Sequence, residues 1–300
     1  MRAFFSGPNS SESGTFSAVL AVALGLSLGC SGDKTPTVVI TPPPTQWVQV
    51  WSDEFEGAAG TPVDGSKWGY DTGDGCSAGI CGWGNNEKEF YSTDPATISL
   101  NGQGQLIIVA QRAPAGLSCY YGPCRYTSAK ITTKAKMLAN PGRVEARIKL
   151  SAGQGLWPAF WMLGHLCGAG APWPNCGEID IMENKGSQPI STSSAMHGLG
   201  YSVATPFAHT NTLTTGNYTD SFHVFAVEWD AVSIRWFVDD TPHYGVTADA
   251  IAQYGPSILN QSFYVILNLA VGGNFDGDPQ SDTIFPATML VDYVRVFEKK

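Results

Sequence analysis

Three carboxylates fall within six residues in the run Gly177-Glu178-Ile179-Asp180-Ile181-Met182-Glu183-Asn184. The isoleucines alternate with the first acids, which reads as a β-strand of period two. On a regular strand Glu178 and Asp180 share one face, and Ile179 and Ile181 the other. Met182 then joins the acids and Glu183 joins the isoleucines, and an unpaired buried glutamate is costly. One extra residue around Ile181-Met182, a β-bulge, removes the conflict. It returns Glu183 to the face of the other acids and sends Met182 to the core. The Cα atoms of Glu178 and Glu183 are then roughly 13 Å apart. Inward-leaning side chains close much of that gap. Two carboxyl groups ~5–5.5 Å apart, one a nucleophile and one an acid/base, cleave glycosidic bonds with retention. A solvated strand face or a calcium site would use the same residue types. The nearby Trp157 and Trp161 favour sugar chemistry.

The segment Glu178-Ile179-Asp180-Ile181-Met182-Glu183 resembles the active-site strand of family 16 of the glycoside hydrolases. Its bulged spacing resembles the endo-1,3-β-glucanase (laminarinase) branch rather than the unbulged lichenase branch. The resemblance runs from about Trp47 to Glu298. It includes Trp51-Ser52-Asp53-Glu54-Phe55, Trp83-Gly84-Asn85-Asn86-Glu87, Tyr126-Thr127-Ser128-Ala129-Lys130 and Gly155-Leu156-Trp157-Pro158-Ala159-Phe160-Trp161. Asn268-Leu269-Ala270-Val271-Gly272-Gly273-Asn274 and Val291-Asp292-Tyr293-Val294-Arg295-Val296 close it.

The elements that must position these residues are mostly strands. Arg143 to Leu150 alternates, with Val144, Ala146, Ile148 and Leu150 on one face and charges on the other. Phe222 to Trp229 and Ser233 to Val238 are further strands, and Phe263 to Leu269 reads as a buried one. Thr247 to Tyr254 suggests a short helix. Many short strands separated by turn residues indicate an all-β antiparallel sandwich or barrel. The resemblance implies a concanavalin-like β-jelly-roll sandwich with a concave substrate cleft.

By the same resemblance Glu178 is the nucleophile, Glu183 the acid/base and Asp180 the partner that orients and tunes them. Trp157 and Trp161 flank the scissile bond. Asn85 and Asn86 stand at the cleft rim, and at least one of them binds a sugar hydroxyl. His197 lies on the leaving-group side. Lys130 replaces the family's usual arginine on the donor side, and the two are not equivalent where bidentate bonds matter. No cofactor takes part in catalysis. A structural calcium is implied on Glu54, the Gly104 carbonyl and Asp292, since oxygen ligands suit that ion. The implied activity is a retaining endo-β-1,3-glucanase on laminarin-type glucans, acting as a monomer. A mixed-linkage glucanase, a galactan hydrolase and a non-catalytic glucan-binding protein are the alternatives. The last typically lacks the two glutamates.

Charge and cysteine usage set outer bounds. There are 17 basic and 26 acidic residues without a basic run, which argues against nucleic acid as a partner. A neutral polysaccharide needs no such charge. Residues 1–30 read as a secretion signal, with an apolar run from Phe16 to Gly29 too short for a comfortable membrane span. Leu26-Ser27-Leu28-Gly29-Cys30 resembles a bacterial lipobox, so lipidation of Cys30 and attachment to the outer membrane are expected. Cleavage nearby and release to the medium is the alternative. Residues 31–46 form a Pro/Thr-rich linker and 47–300 the catalytic domain. Seven cysteines less Cys30 leave six. Local pairing is the simplest of the many connectivities, because each pair brackets a Gly- or Pro-containing loop. It joins Cys76 to Cys81, Cys119 to Cys124 and Cys167 to Cys176, and implies an oxidising compartment.

Overall fold

The strand Arg143–Lys149 buries Val144, Ala146 and Ile148 completely on one face. A ribbon with one apolar side must be covered by a second layer. The computed structural model describes residues 46–168, 170–202 and 207–300 and shows that layer. One sheet has ten strands. Its main path runs Thr241–Thr247, Ser233–Val238, His223–Trp229, Arg143–Lys149, Ala287–Lys299, Leu106–Arg112, Tyr126–Ser128, Glu89–Tyr91. Trp47–Asp53 and Ile98–Leu100 pair alongside that path. The facing sheet has seven strands, ordered Ala208–Thr212, Ser191–His197, Glu178–Glu183, Leu156–Gly164, Phe263–Val271, Lys130–Thr132, Gly69–Asp71. Pairing is antiparallel except between Glu89–Tyr91 and Tyr126–Ser128. This is the all-β sandwich expected from the sequence.

The core lies between the sheets. Phe160, Met162, Ile179, Ile181 and Met182 from the seven-stranded sheet meet Ile108, Val144, Ile148, Trp236 and Val294 from the other. Among the described residues the α-helix is one short piece, Ala248–Ala252, capped by the Thr247 hydroxyl, which accepts the Ala250 N–H. Phe263–Val271 is buried along its whole length. It is covered on its second side too, because the Cys167–Cys176 loop folds back over Tyr264 and Ile266. The charged face of Arg143–Lys149 is also largely shielded. Arg143 is 8% exposed and bonds Glu145, Glu228 and Asp240 at 2.7–3.0 Å, which satisfies its buried guanidinium.

The bulge is present. Five steps from Glu178 to Glu183 face only four on each neighbour, Leu163 to Ala159 and His197 to Ser193. Ile181 is the residue without a partner on Leu156–Gly164, where Phe160 faces Met182 and Trp161 faces Asp180. Ile181 and Met182 both enter the core. A bulge leaves backbone carbonyls off the ladder, and buried carbonyls need donors. Here the Trp236 indole N–H crosses from the other sheet to the Asp180 carbonyl (3.0 Å), and the Ser194 hydroxyl donates to the Ile181 carbonyl (2.9 Å). Trp236→Phe keeps most of the ring volume but removes the donor. Thermal unfolding should show a loss of ~1–3 kcal/mol, about 2–4 °C for each. An unchanged melting temperature would mean that this bond does not hold the bulge.

Candidate active site

Because both neighbours count an even number of steps between them, Glu178 and Glu183 point to the same side of the sheet, with Asp180 between them. Gly177 precedes the strand with φ of 82°, a conformation that favours glycine, and turns the chain out of the preceding loop. Asp180 is 3% exposed, and Glu178 and Glu183 are half-buried. His197, opposite Glu178, holds Nε2 3.1 Å from Asp180 Oδ2 and 3.9 Å from Glu178 Oε1. The Trp157 indole donates to Glu183 Oε1 (3.0 Å) and the Trp173 indole to Glu178 Oε2 (3.0 Å).

Crowding three acids in a partly closed site disfavours their charged forms. Burial, then the charge of Asp180, pushes the Glu183 carboxyl up to about 8. Burial pushes Asp180 up to about 7, with the contact to Glu178 working against it. Burial and the charge of Asp180 also raise Glu178 well above the usual carboxylate range, while His197 and the Trp173 N–H act in the opposite sense. The trio titrates as a unit and keeps a proton at neutral pH. That is what a site combining an acid with a nucleophile needs.

Behind the cleft lies a second polar network. Trp161 donates to Asn268 Oδ1 (2.7 Å), Asn268 donates to the Tyr91 hydroxyl (3.1 Å), and Tyr91 donates to Glu87 Oε2 (3.3 Å). Glu89, fully buried beside Glu87, accepts the Val271 N–H (2.7 Å). Burial and then the charge of Glu87 raise the Glu89 carboxyl far above its usual range. Lys130 supplies a cation. Its ammonium lies 4.3 Å from the Trp83 ring, 5.1 Å from the Trp161 ring and 3.6 Å from Asp71. Only 7% of Lys130 is exposed, so it braces the aromatic wall more than it offers a hand to sugar.

The other residues expected from the sequence are placed as follows. Asn85 donates to Glu87 Oε1 (3.1 Å) and Asn86 to Asn274 Oδ1 (2.9 Å), so each amide also ties a loop. Trp157 stacks on Phe275 at 4.8 Å. The three local disulfides are formed, Cys76–Cys81, Cys119–Cys124 and Cys167–Cys176. The calcium ligand set does not fit as side chains. Both oxygens of Glu54 are held by Arg295 (3.0 and 2.8 Å), and Arg147 binds Asp292 at 2.6 Å. Two guanidinium groups hold the side-chain charge that a divalent ion would need. Cys30 and the segments 1–30 and 31–46, Gln46 apart, lie outside the described residues. Trp173, Tyr91, Asn268 and Glu89 were not anticipated. The period-two run Glu87, Glu89, Tyr91 was a readable signal for the network. Trp173 carried none, because its direction is set by the loop that Cys167–Cys176 closes.

This constellation, on this sandwich, defines a glycosidase. The family model described as glycosyl hydrolases family 16 matches residues 82–293. The chain is 37% identical over 292 residues to a β-glucanase of Rhodothermus marinus, covering 92% of this chain and 93% of that protein. The structure of an endo-β-1,3-glucanase from Pyrococcus furiosus superposes with a TM-score of 0.80 at 41% identity, covering 85% of this chain and 96% of that one. The laminarinase catalytic domain from Thermotoga maritima gives 0.79 at 37%, with 85% and 99% covered. The chain belongs to glycosyl hydrolases family 16.

The raised carboxyl of Glu183 has a consequence for stability. Its folded-state value of about 8 lies above the unfolded value of 4.5, so the folded state binds the proton more tightly. Wild type therefore loses stability from this group as pH rises from about 4.5 to about 8, and no more beyond. Glu183→Gln keeps an oxygen for the Trp157 indole and does not titrate. Its melting temperature should match wild type near pH 4 and exceed it at pH 8. The gap should be on the order of 2 kcal/mol, because a proton can also move within the trio, or roughly 4–8 °C. A constant gap across that range would contradict the shift.

Proposed function

We propose that this protein hydrolyses internal β-1,3-glucosidic bonds of laminarin-type glucans by double displacement. The observation that carries the reading is the bulge, which sets Glu178 and Glu183 on one side of the sheet with an indole N–H on each. The similarity to glucanases and laminarinases across nearly the whole of those chains supports the substrate class. Glu178 attacks the anomeric carbon as Glu183 passes its proton to the departing sugar oxygen. Glu183, now a base, takes a proton from the water that releases the glycosyl-enzyme. Asp180 shares its proton with Glu178. The Trp173 N–H and His197 favour the charged form of Glu178 that burial and the charge of Asp180 oppose. Trp157 fixes the Glu183 carboxyl for proton delivery. Trp161, Trp157 and Trp173 offer aromatic faces and edges to the sugar rings.

Export, attachment through a lipidated Cys30 and a linker up to the catalytic domain at residue 47 belong to the same proposal. So does action as a monomer. The apolar run before Cys30 and the three disulfides support export.

The two glutamates are told apart by azide. Glu183→Ala should lower laminarin hydrolysis by roughly 10²–10⁴-fold, the worth of general acid/base catalysis. With an activated β-glucoside and azide, Glu178→Ala should give the α-glucosyl azide by one displacement. Glu183→Ala should give the β-azide by two. Swapped products would reverse the roles.

A further inference from the structure

Beyond the seven-stranded sheet's edge at the Lys130 end, the strand Gly69–Asp71 runs directly into a recess of about 450 Å³. It is lined by Thr72, Gly73, Asp74 and Ser77 on one side and by Phe90, Tyr91, Ser92 and Thr93 on the other. We propose that this recess is a second glucan-holding site, which binds a more distant stretch of the polysaccharide being cut in the cleft. The proposal rests on the glucanase reading above.

Its chemistry is that of a neutral sugar. Glu89 and Tyr91 are fully buried, so Phe90 between them turns to the opposite face and offers its ring to the recess. Thr72, Ser77 and Thr93 are exposed, and among the described residues their hydroxyls have no protein partner. The Ser92 hydroxyl accepts the Asp94 N–H (3.0 Å) and keeps its own proton to donate. Asp74 is the one carboxylate in the lining; it is half-buried, and both of its oxygens are engaged, by the N–H groups of Cys76 (3.2 Å) and Tyr120 (2.6 Å). No lysine or arginine lines the recess, which disfavours an anionic ligand. The volume lies in the range of ligand sites, ~300–1,000 Å³.

The walls are held before any ligand arrives. Gly73 and Tyr91 exchange two backbone hydrogen bonds of 2.9 Å, and Cys76–Cys81 closes the loop beyond. The Trp83 indole donates to the Gly73 carbonyl (3.3 Å), and its ring packs 5.4 Å from that of Tyr91. Trp83 also lies over Lys130 at the donor end of the cleft. The recess and the cleft therefore share a rigid wall, and a site that is already ordered loses less entropy on binding.

The test compares long and short substrates. Phe90→Ala and, separately, Thr93→Val remove the ring and one free hydroxyl without touching the cleft. On laminarin, Phe90→Ala should lower kcat/KM about fivefold through KM, close to the loss of one good contact. Thr93→Val should lower it less, and both should bind insoluble β-1,3-glucan more weakly. On laminaritetraose, the short substrate, both should match wild type. Equal losses on the two substrates, or no loss on either by both variants, would overturn the second site while leaving the glucanase intact. A wild type inactive on laminarin and tetraose alike would instead overturn the glucanase reading, and the second site with it.

Discussion

The single extra residue in Glu178–Glu183 is the constraint on which the site depends. A strand can show only alternate residues to one face. Without the insertion, Glu183 would lie in an apolar layer with Ile179 and Ile181, and Met182 would stand in the cleft. The insertion costs two ladder carbonyls, and the structure satisfies both. Trp236 supplies one donor from the opposite sheet and Ser194 the other from the adjacent strand. The core and the catalytic face are thereby coupled. The indole that fills the sandwich also holds the backbone of Asp180, whose side chain sits between the two glutamates.

The cleft is supported from beneath by polar groups rather than by apolar packing alone. The chain of bonds from Trp161 through Asn268 and Tyr91 to Glu87 fixes the Trp161 indole. Buried carboxyls so close together are unfavourable unless they share protons or meet a cation. Burial raises both carboxyls, Glu89 the further, and at Glu87 the nearby Lys130 works against that rise. The catalytic trio follows the same physics with a different outcome. Its two glutamates remain partly open to the cleft, where a retained proton can be given to a leaving group.

Much of this was legible in the sequence because it was written as conflict or period. Glu183 out of phase with its strand demanded a bulge, and alternation in Arg143–Lys149 demanded a sandwich. The close cysteine pairs suggested local links, which formed. Other features depend on partners distant in the chain. The arginines that occupy Glu54 and Asp292 are neighbours only through strand register, so a ligand set read from motifs could not anticipate them. Lys130 reads as a cleft cation until Trp83, nearly fifty residues earlier, is seen to cover it. Trp173 reaches Glu178 from a loop whose course is fixed by a disulfide and by packing on Tyr264 and Ile266.

The central claim, that the bulge makes Glu178 and Glu183 a nucleophile and acid/base pair, is tested most directly by the stereochemistry of the first product. Proton nuclear magnetic resonance of laminarin mixed with wild-type enzyme resolves the new reducing ends before they mutarotate. Two inverting displacements predict that the β-anomer appears first and the α-anomer grows in later. An α-anomer formed first would mean a single displacement by water, and would contradict the account.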